Sequence, residues 1–192
     1  MRRVLVAGVS GAGKSTFARE LAQRAGLPFH EMDALYHGPG WTRLASFEDD
    51  VAAIASGDAW VFDSHGYKEV RDLVWSRADT VVWLDLSRPV VLARVLRRSY
   101  DRAAHGVETF NGNTETFRAW LDPEHPVQWS MRSYAARGRD LRARFEDPAY
   151  AHLRRVRLAS PRAAARWLDL VLPWQGYGGG VRPEPPDGEA TR

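Results

Sequence analysis

At 192 residues with 44% hydrophobic content, eight Trp, six Tyr and seven Phe, the chain suits one compact domain with a full core plus an appendage, not a disordered body. It has no cysteine, which removes a disulfide framework, a thiolate zinc site and a cysteine nucleophile, and fits a reducing, cytoplasmic setting. Net charge is only +3, yet Arg94 to Arg166 holds fifteen Arg against eight acidic residues, a distribution that reads either as phosphate clamps or as a nucleic-acid footprint.

The N-terminus runs from Met1-Arg2-Arg3 into a strand at Arg3–Ala7, whose apolar part is too short for the core of a signal peptide. No apolar run approaches the roughly twenty residues that span a bilayer. Gly8-Val9-Ser10-Gly11-Ala12-Gly13-Lys14-Ser15 follows at once and fills every fixed position of the phosphate-loop pattern G-x-x-x-x-G-K-[ST]. Glycines there let backbone N–H groups turn inward around a polyphosphate, because no Cβ blocks a close approach or a positive φ. Lys14 then reaches the β and γ phosphates and the Ser15 hydroxyl can ligate Mg2+. Thr16 continues into a helix whose N-terminal dipole favours an anion. The bland alternative is a glycine-rich turn between strand and helix, but the strand–loop–helix setting is the one the motif requires. Gly8, Ser10, Gly11, Ala12, Gly13, Lys14, Ser15 and Thr16 are the candidate nucleotide contacts.

The first helix runs to about Ala25, with Gly26 suited to its C′ position. Phe29-His30-Glu31-Met32 reads as a short second strand ending at Asp33. Tyr36–Trp41 reads as a loop, and Ser46 with Asp49 as a capping box for the helix behind it. Trp60–Phe62 is a third strand ending at Asp63, and Thr80–Leu86 a fourth. Pro89 starts a long helix to about Ala104. His105–Val127 is irregular and contains one short helix. A helix from about Gln128 to Phe145 returns the chain, Arg155–Leu158 makes a weak fifth strand, and Ser160-Pro161 start a last helix ending before Pro173. Residues 174–192 have the Gly, Pro and polar content of a disordered tail. Alternating apolar strands and helices predict a parallel sheet covered on both faces.

Ligands of such sheets bind outside the carboxyl ends of the strands. Asp63 has the placement of a Walker-B-type carboxylate that manages Mg2+ opposite Ser15, or of a plain helix cap. Asp33 faces the space for an acceptor, where a carboxylate can orient a hydroxyl and take its proton, or is an ordinary polar loop residue. Asp85 reads as a helix-start residue. Arg94, Arg97 and Arg98 share one side of their helix. Arg97 or Arg98 is the candidate to neutralise charge on the transferring phosphoryl group, joined by Arg132, with Arg137 also on the returning helix. Solubility of a helix surface is the alternative for each. Arg71 is the candidate grip on an anionic or polar acceptor; His65 could equally bind the acceptor, or is a structural loop histidine.

These residues together resemble the small P-loop kinases, including adenylate kinase and the shikimate and gluconate kinases. The likeness is closer still to the DNA topology modulation (FlaR-like), adenylate-kinase-related proteins. It covers about residues 2 to 170 and rests on GVSGAGKST, HEMDALYHGPGW, WVFDSHGY followed by Arg71-Asp72, RADTVVWLDL, the LRRS helix and NGN. The resemblance implies a P-loop NTPase three-layer sandwich, with a five-stranded parallel sheet in order 2-3-1-4-5 inside residues 1–173. It implies a lid at about 99–129, ATP with Mg2+ as cofactors, and an adenine contact near Ser160. Two departures fall on the acceptor side. Ser64-His65-Gly66-Tyr67 stands where adenylate kinases carry Gly-Phe-Pro-Arg and where shikimate-type enzymes carry a glycine run.

The expected activity is Mg2+-dependent transfer of the ATP γ-phosphoryl group to a small-molecule or nucleoside monophosphate acceptor, by a monomer or homodimer. A nucleotide-gated regulator that binds DNA or a protein partner is the rival. No helix-turn-helix, zinc module or RNA-binding signature accompanies the basic stretch.

Overall fold

The computed structural model describes residues 1–105 and 126–173. The centre of the expected lid, with its short helix and NGN, and the expected tail from 174 lie outside the described residues. β1 (Arg3–Gly8), β2 (Phe29–His30), β3 (Trp60–Phe62), β4 (Thr80–Leu84) and β5 (Arg154–Leu158) form one parallel sheet in the order β2-β3-β1-β4-β5. The register sets Leu5 beside Phe62 and Val81, and Leu84 beside Gly8 and Leu158. This is the expected order.

β1 is apolar without interruption because both of its faces are covered. Val4 and Val6 enter a core with α1 (Lys14–Ala25), the long helix α5 (Arg88–His105) and α7 (Pro161–Val171). Leu5 and Ala7 enter a second core on the opposite face, with α3 (Phe47–Ser56), α4 (Arg71–Arg77) and Leu141 of α6 (Pro126–Glu146). The result is three layers, helix–sheet–helix. β5 closes one edge with Arg154, Arg155 and Arg157, charges that discourage a further strand from pairing there.

Helix ends follow local chemistry in two places. Gly26 takes the left-handed conformation, φ 64°, that ends α1. Ser160 accepts a hydrogen bond from the Ala163 N–H and Pro161 opens α7. Elsewhere the structure departs from expectation. β2 stops at His30, and Met32–Tyr36 form a short helix, α2, so Asp33 lies in a first helical turn and not at a strand end. β4 ends at Leu84, two residues early. The capping box at Ser46 does not form: Ser46 is itself helical (φ −76°, ψ −5°) and its side chain caps nothing. Asp85 does not serve the start of α5; its carboxylate holds the Arg157 guanidinium, Nε at 2.8 Å.

Candidate functional site

The carboxyl ends of β1 and β3, the start of α1, one side of α5 and the N-terminal half of α7 enclose a cleft of about 1140 Å3. That exceeds what a single small ligand needs and leaves room for a nucleotide and an acceptor together. Ser10 to Thr16 line its floor.

The glycines of this loop are required by what packs behind them. Gly11 has φ +82°, and a Cβ there would lie 2.3 Å from Val95 Cγ2 and 3.0 Å from the Val91 carbonyl, both on α5. Gly13 has φ +86°, with Arg94 Nη1 2.9 Å from the place of its missing Cβ. Turning the backbone this way leaves α5 pressed against the loop. Arg94 adds a hydrogen bond from Nη1 to the Ala12 carbonyl at 3.2 Å.

Lys14 reaches back across the loop, its Nζ donating to the Val9 carbonyl at 3.1 Å. Loss of hydration in the cleft pushes its ammonium down to about 8, against the pull of Asp33 and Asp63 and with a further push from Arg137 and Arg98. A polyphosphate in the cleft would supply the negative charge this ammonium lacks.

Asp63 is buried, 5% exposed, and works as a clamp between two elements. The Ser15 hydroxyl donates to Oδ2, and the Met32 N–H donates to Oδ1 at 2.9 Å. Burial raises its pKa, opposed by these two bonds. The second bond caps α2 from across the sheet, which is why the chain turns helical at Met32 and carries Asp33 to the rim. One hydroxyl beside one carboxylate at the mouth of an amide-lined loop fits Mg2+, an ion that keeps waters and phosphate oxygens as its other ligands.

At the far end of the cleft Asp33 accepts a hydrogen bond from the Tyr67 hydroxyl at 2.8 Å. Tyr67 stacks on Tyr36, ring centroids 3.9 Å apart and planes 4° from parallel, and His37 Nε2 lies 3.4 Å from its oxygen. Trp41, with φ 60°, adds an exposed ring beside His37. Arg71 donates from Nε to the Gly66 carbonyl and from Nη1 to Asp140, both at 3.1 Å. Arg137 of α6 lines the same wall, and the loss of hydration with Arg71 nearby pulls its pKa below the ordinary arginine value. His65 is 4% exposed and is held well below the usual histidine range by burial and the surrounding Arg137, Lys14, Arg71 and Arg144. It is a neutral imidazole.

Of the candidate residues, the loop from Ser10 to Thr16, Asp33, Asp63, Arg71 and Arg98 converge on the cleft. Gly8 sits at the end of β1 behind the loop. Ser160 contributes its cap, while the neighbouring Pro161, Ala164, Ala165 and Leu168 form an apolar wall. Arg97 and Arg132 are not among the lining residues: Arg97 lies 3.9 Å from Asp101 with its side chain 64% exposed, and Arg132 is exposed. Arg94 and Arg137, which the sequence placed on the same helices without a committed role, take the lining positions instead. The phase of α5 explains the first. Val91 and Val95 seat on Gly11, so residues three ahead of each, Arg94 and Arg98, flank the contact, while Arg97 points about 120° away. The apolar pair Val91–Val95 was the available signal.

No family model matches the chain. A shikimate kinase from Rhodopseudomonas palustris is 32% identical over 115 residues, 51% of this chain. The chain spans 56% of that curated relative's length. Among solved structures, a gluconokinase from Sinorhizobium meliloti aligns at TM-score 0.48, with 23% identity over 89% of this chain and 93% of that one. A shikimate kinase from Bacteroides thetaiotaomicron aligns at TM-score 0.50, with 14% identity over 88% of this chain and 98% of that one. The chain therefore has the α/β P-loop fold of small kinases, with a five-stranded parallel sheet in the order 2-3-1-4-5.

Proposed function

We propose that this protein is an ATP-dependent small-molecule kinase that phosphorylates a hydroxyl of an anionic acceptor. The observation that carries the reading is the single cleft, with the phosphate loop at one end and Asp33, Arg71 and Arg137 at the other. The one-third identity to a shikimate kinase supports the reaction class. The cationic acceptor wall supports a hydroxy acid over a neutral sugar.

In this reading the loop amides and Lys14 hold the β and γ phosphates, and the apolar wall of α7 borders the base. Ser15 and Asp63 would hold a Mg2+ ion, which would supply positive charge to the bound phosphates. Arg71 and Arg137 hold the acceptor anion by guanidinium hydrogen bonds. Asp33 takes the hydroxyl proton as the new O–P bond forms and the bond to the β-phosphate oxygen breaks, releasing ADP. Arg98, with Arg94 beside it, offsets charge on the transferring group. Arg97 and Arg132 have no part in this scheme.

The test is a transfer screen with γ-labelled ATP over hydroxy acids, shikimate and gluconate among them, and nucleoside monophosphates, with products identified by mass. Label transferred to one acceptor, and lost in Lys14→Ala, supports the reading. ATP turnover to phosphate alone across the panel overturns it. A duplex-binding titration at two salt concentrations separates the kinase from a nucleotide-gated regulator of DNA, the role suggested by likeness to the DNA topology modulation proteins. Tight, steeply salt-dependent binding would favour that rival.

A further inference from the structure

We infer that Tyr67 is the positioning residue of Asp33, fixing one carboxylate oxygen so that the other is presented to the acceptor hydroxyl. The inference rests on the kinase reading for its kinetic consequence, but its structural half stands apart from it. Tyr67 follows the Ser64-His65-Gly66 turn, whose Gly66 has φ +89° and whose Cβ position lies 2.8 Å from Arg71 Cα. This tight turn against α4 sends the Tyr67 ring across to α2. There it stacks on Tyr36 and meets Phe47 edge-on, centroids 5.4 Å apart, so the phenol has little freedom to swing.

The hydroxyl can donate only once, and it donates to Asp33 Oδ1 at 2.8 Å. His37 Nε2, 3.4 Å from the phenol oxygen, is placed to donate to it in the tautomer that carries the proton on that nitrogen. The order is then His37 to Tyr67 to Asp33, three groups held on a packed aromatic support. Asp33 Oδ2 has no hydrogen-bond partner among the described residues. Without Tyr67, an exposed aspartate on a five-residue helix would sample several rotamers. The proton released in transfer goes to Oδ2, and the phenol keeps its own.

Two measurements on the full chain test this. The first needs no turnover: proton NMR of the apo protein should show a slowly exchanging Tyr67 hydroxyl proton, assigned by its loss in Tyr67→Phe, that also disappears in Asp33→Ala, which removes the acceptor. Absence of the signal in the wild type, or its persistence unchanged in Asp33→Ala, overturns the inference. The second is a double-mutant cycle with the acceptor found in the screen. Tyr67→Phe keeps the stacked ring and should lower kcat roughly tenfold, the scale of one charge-assisted hydrogen bond, with acceptor KM changed by less than about twofold. In the Asp33→Asn background the same change should cost almost nothing. An equal loss in both backgrounds means Tyr67 acts by packing alone and overturns the inference. If no acceptor is phosphorylated, the kinase reading falls while the hydroxyl signal still decides the pairing.

Discussion

The Ser15 hydroxyl donates to Asp63 Oδ2 while the other Asp63 oxygen receives the Met32 N–H. One carboxylate thus ties the phosphate loop to the helix that carries Asp33. Asp63→Asn should lower Mg2+ affinity or activity about 10- to 100-fold, read from the Mg2+ dependence of transfer. Asp63→Ala should in addition cost about 1–3 kcal/mol in urea unfolding, because the buried Met32 N–H is left without an acceptor. Equal stability of wild type and Asp63→Ala would refute the clamp.

Lys14 gives two slopes of opposite sign. Its ammonium loses its proton at about 8 in the folded protein, against an ordinary value of 10.5. Nucleotide affinity should hold below that pH and fall as pH rises through it, by at most about tenfold per pH unit. Stability moves the other way. Between the two values the unfolded chain binds a proton that the folded one lacks, so this residue's contribution to stability rises with pH. Lys14→Met should flatten both trends relative to wild type, measured by calorimetric titration and urea unfolding from pH 7 to 10.

Gly11→Ala should destabilise the fold for two separable reasons. A left-handed alanine costs about 1–2 kcal/mol and overlap with Val95 costs about 1–3 kcal/mol more. Adding Val95→Ala relieves the overlap but not the backbone strain, so rescue in urea unfolding should be partial. Full rescue would mean that backbone conformation is unimportant there.

The arginines should divide by position. Arg98→Ala should reduce kcat about 100-fold or more with a smaller change in ATP KM. Arg97→Ala, whose side chain faces solvent, should stay within about twofold. Arg71→Ala and Arg137→Ala should raise acceptor KM about 10- to 100-fold and leave ATP KM nearly unchanged. Steady-state kinetics with each substrate varied in turn checks all four.

The sheet and the phosphate loop were legible because their signals are local: a run of β-branched residues, then a motif of fixed spacing. The same held for the Ser160-Pro161 helix start, where cap and first turn are neighbours in sequence. What was not legible depended on partners far along the chain. Glu31 and Met32 look extended until Asp63, 31 residues later, captures the Met32 N–H. Asp85 looks like a helix-start residue until β5 brings Arg157 to it. Arg137 carries no local mark of its place, since α6 must first pack on the sheet through Leu141 and reach Arg71 through Asp140.

The missing side chain at Gly11 has a consequence for engineering. Because Val91 and Val95 fill the space that a larger residue would need, the first two turns of α5 are moulded to the loop as a plug to a socket. Anyone transplanting the segment that follows α5 should place the splice beyond Arg98. A splice ahead of Val91 would import a foreign plug, and Arg94 and Arg98 would lose their places beside the loop even if every arginine were retained.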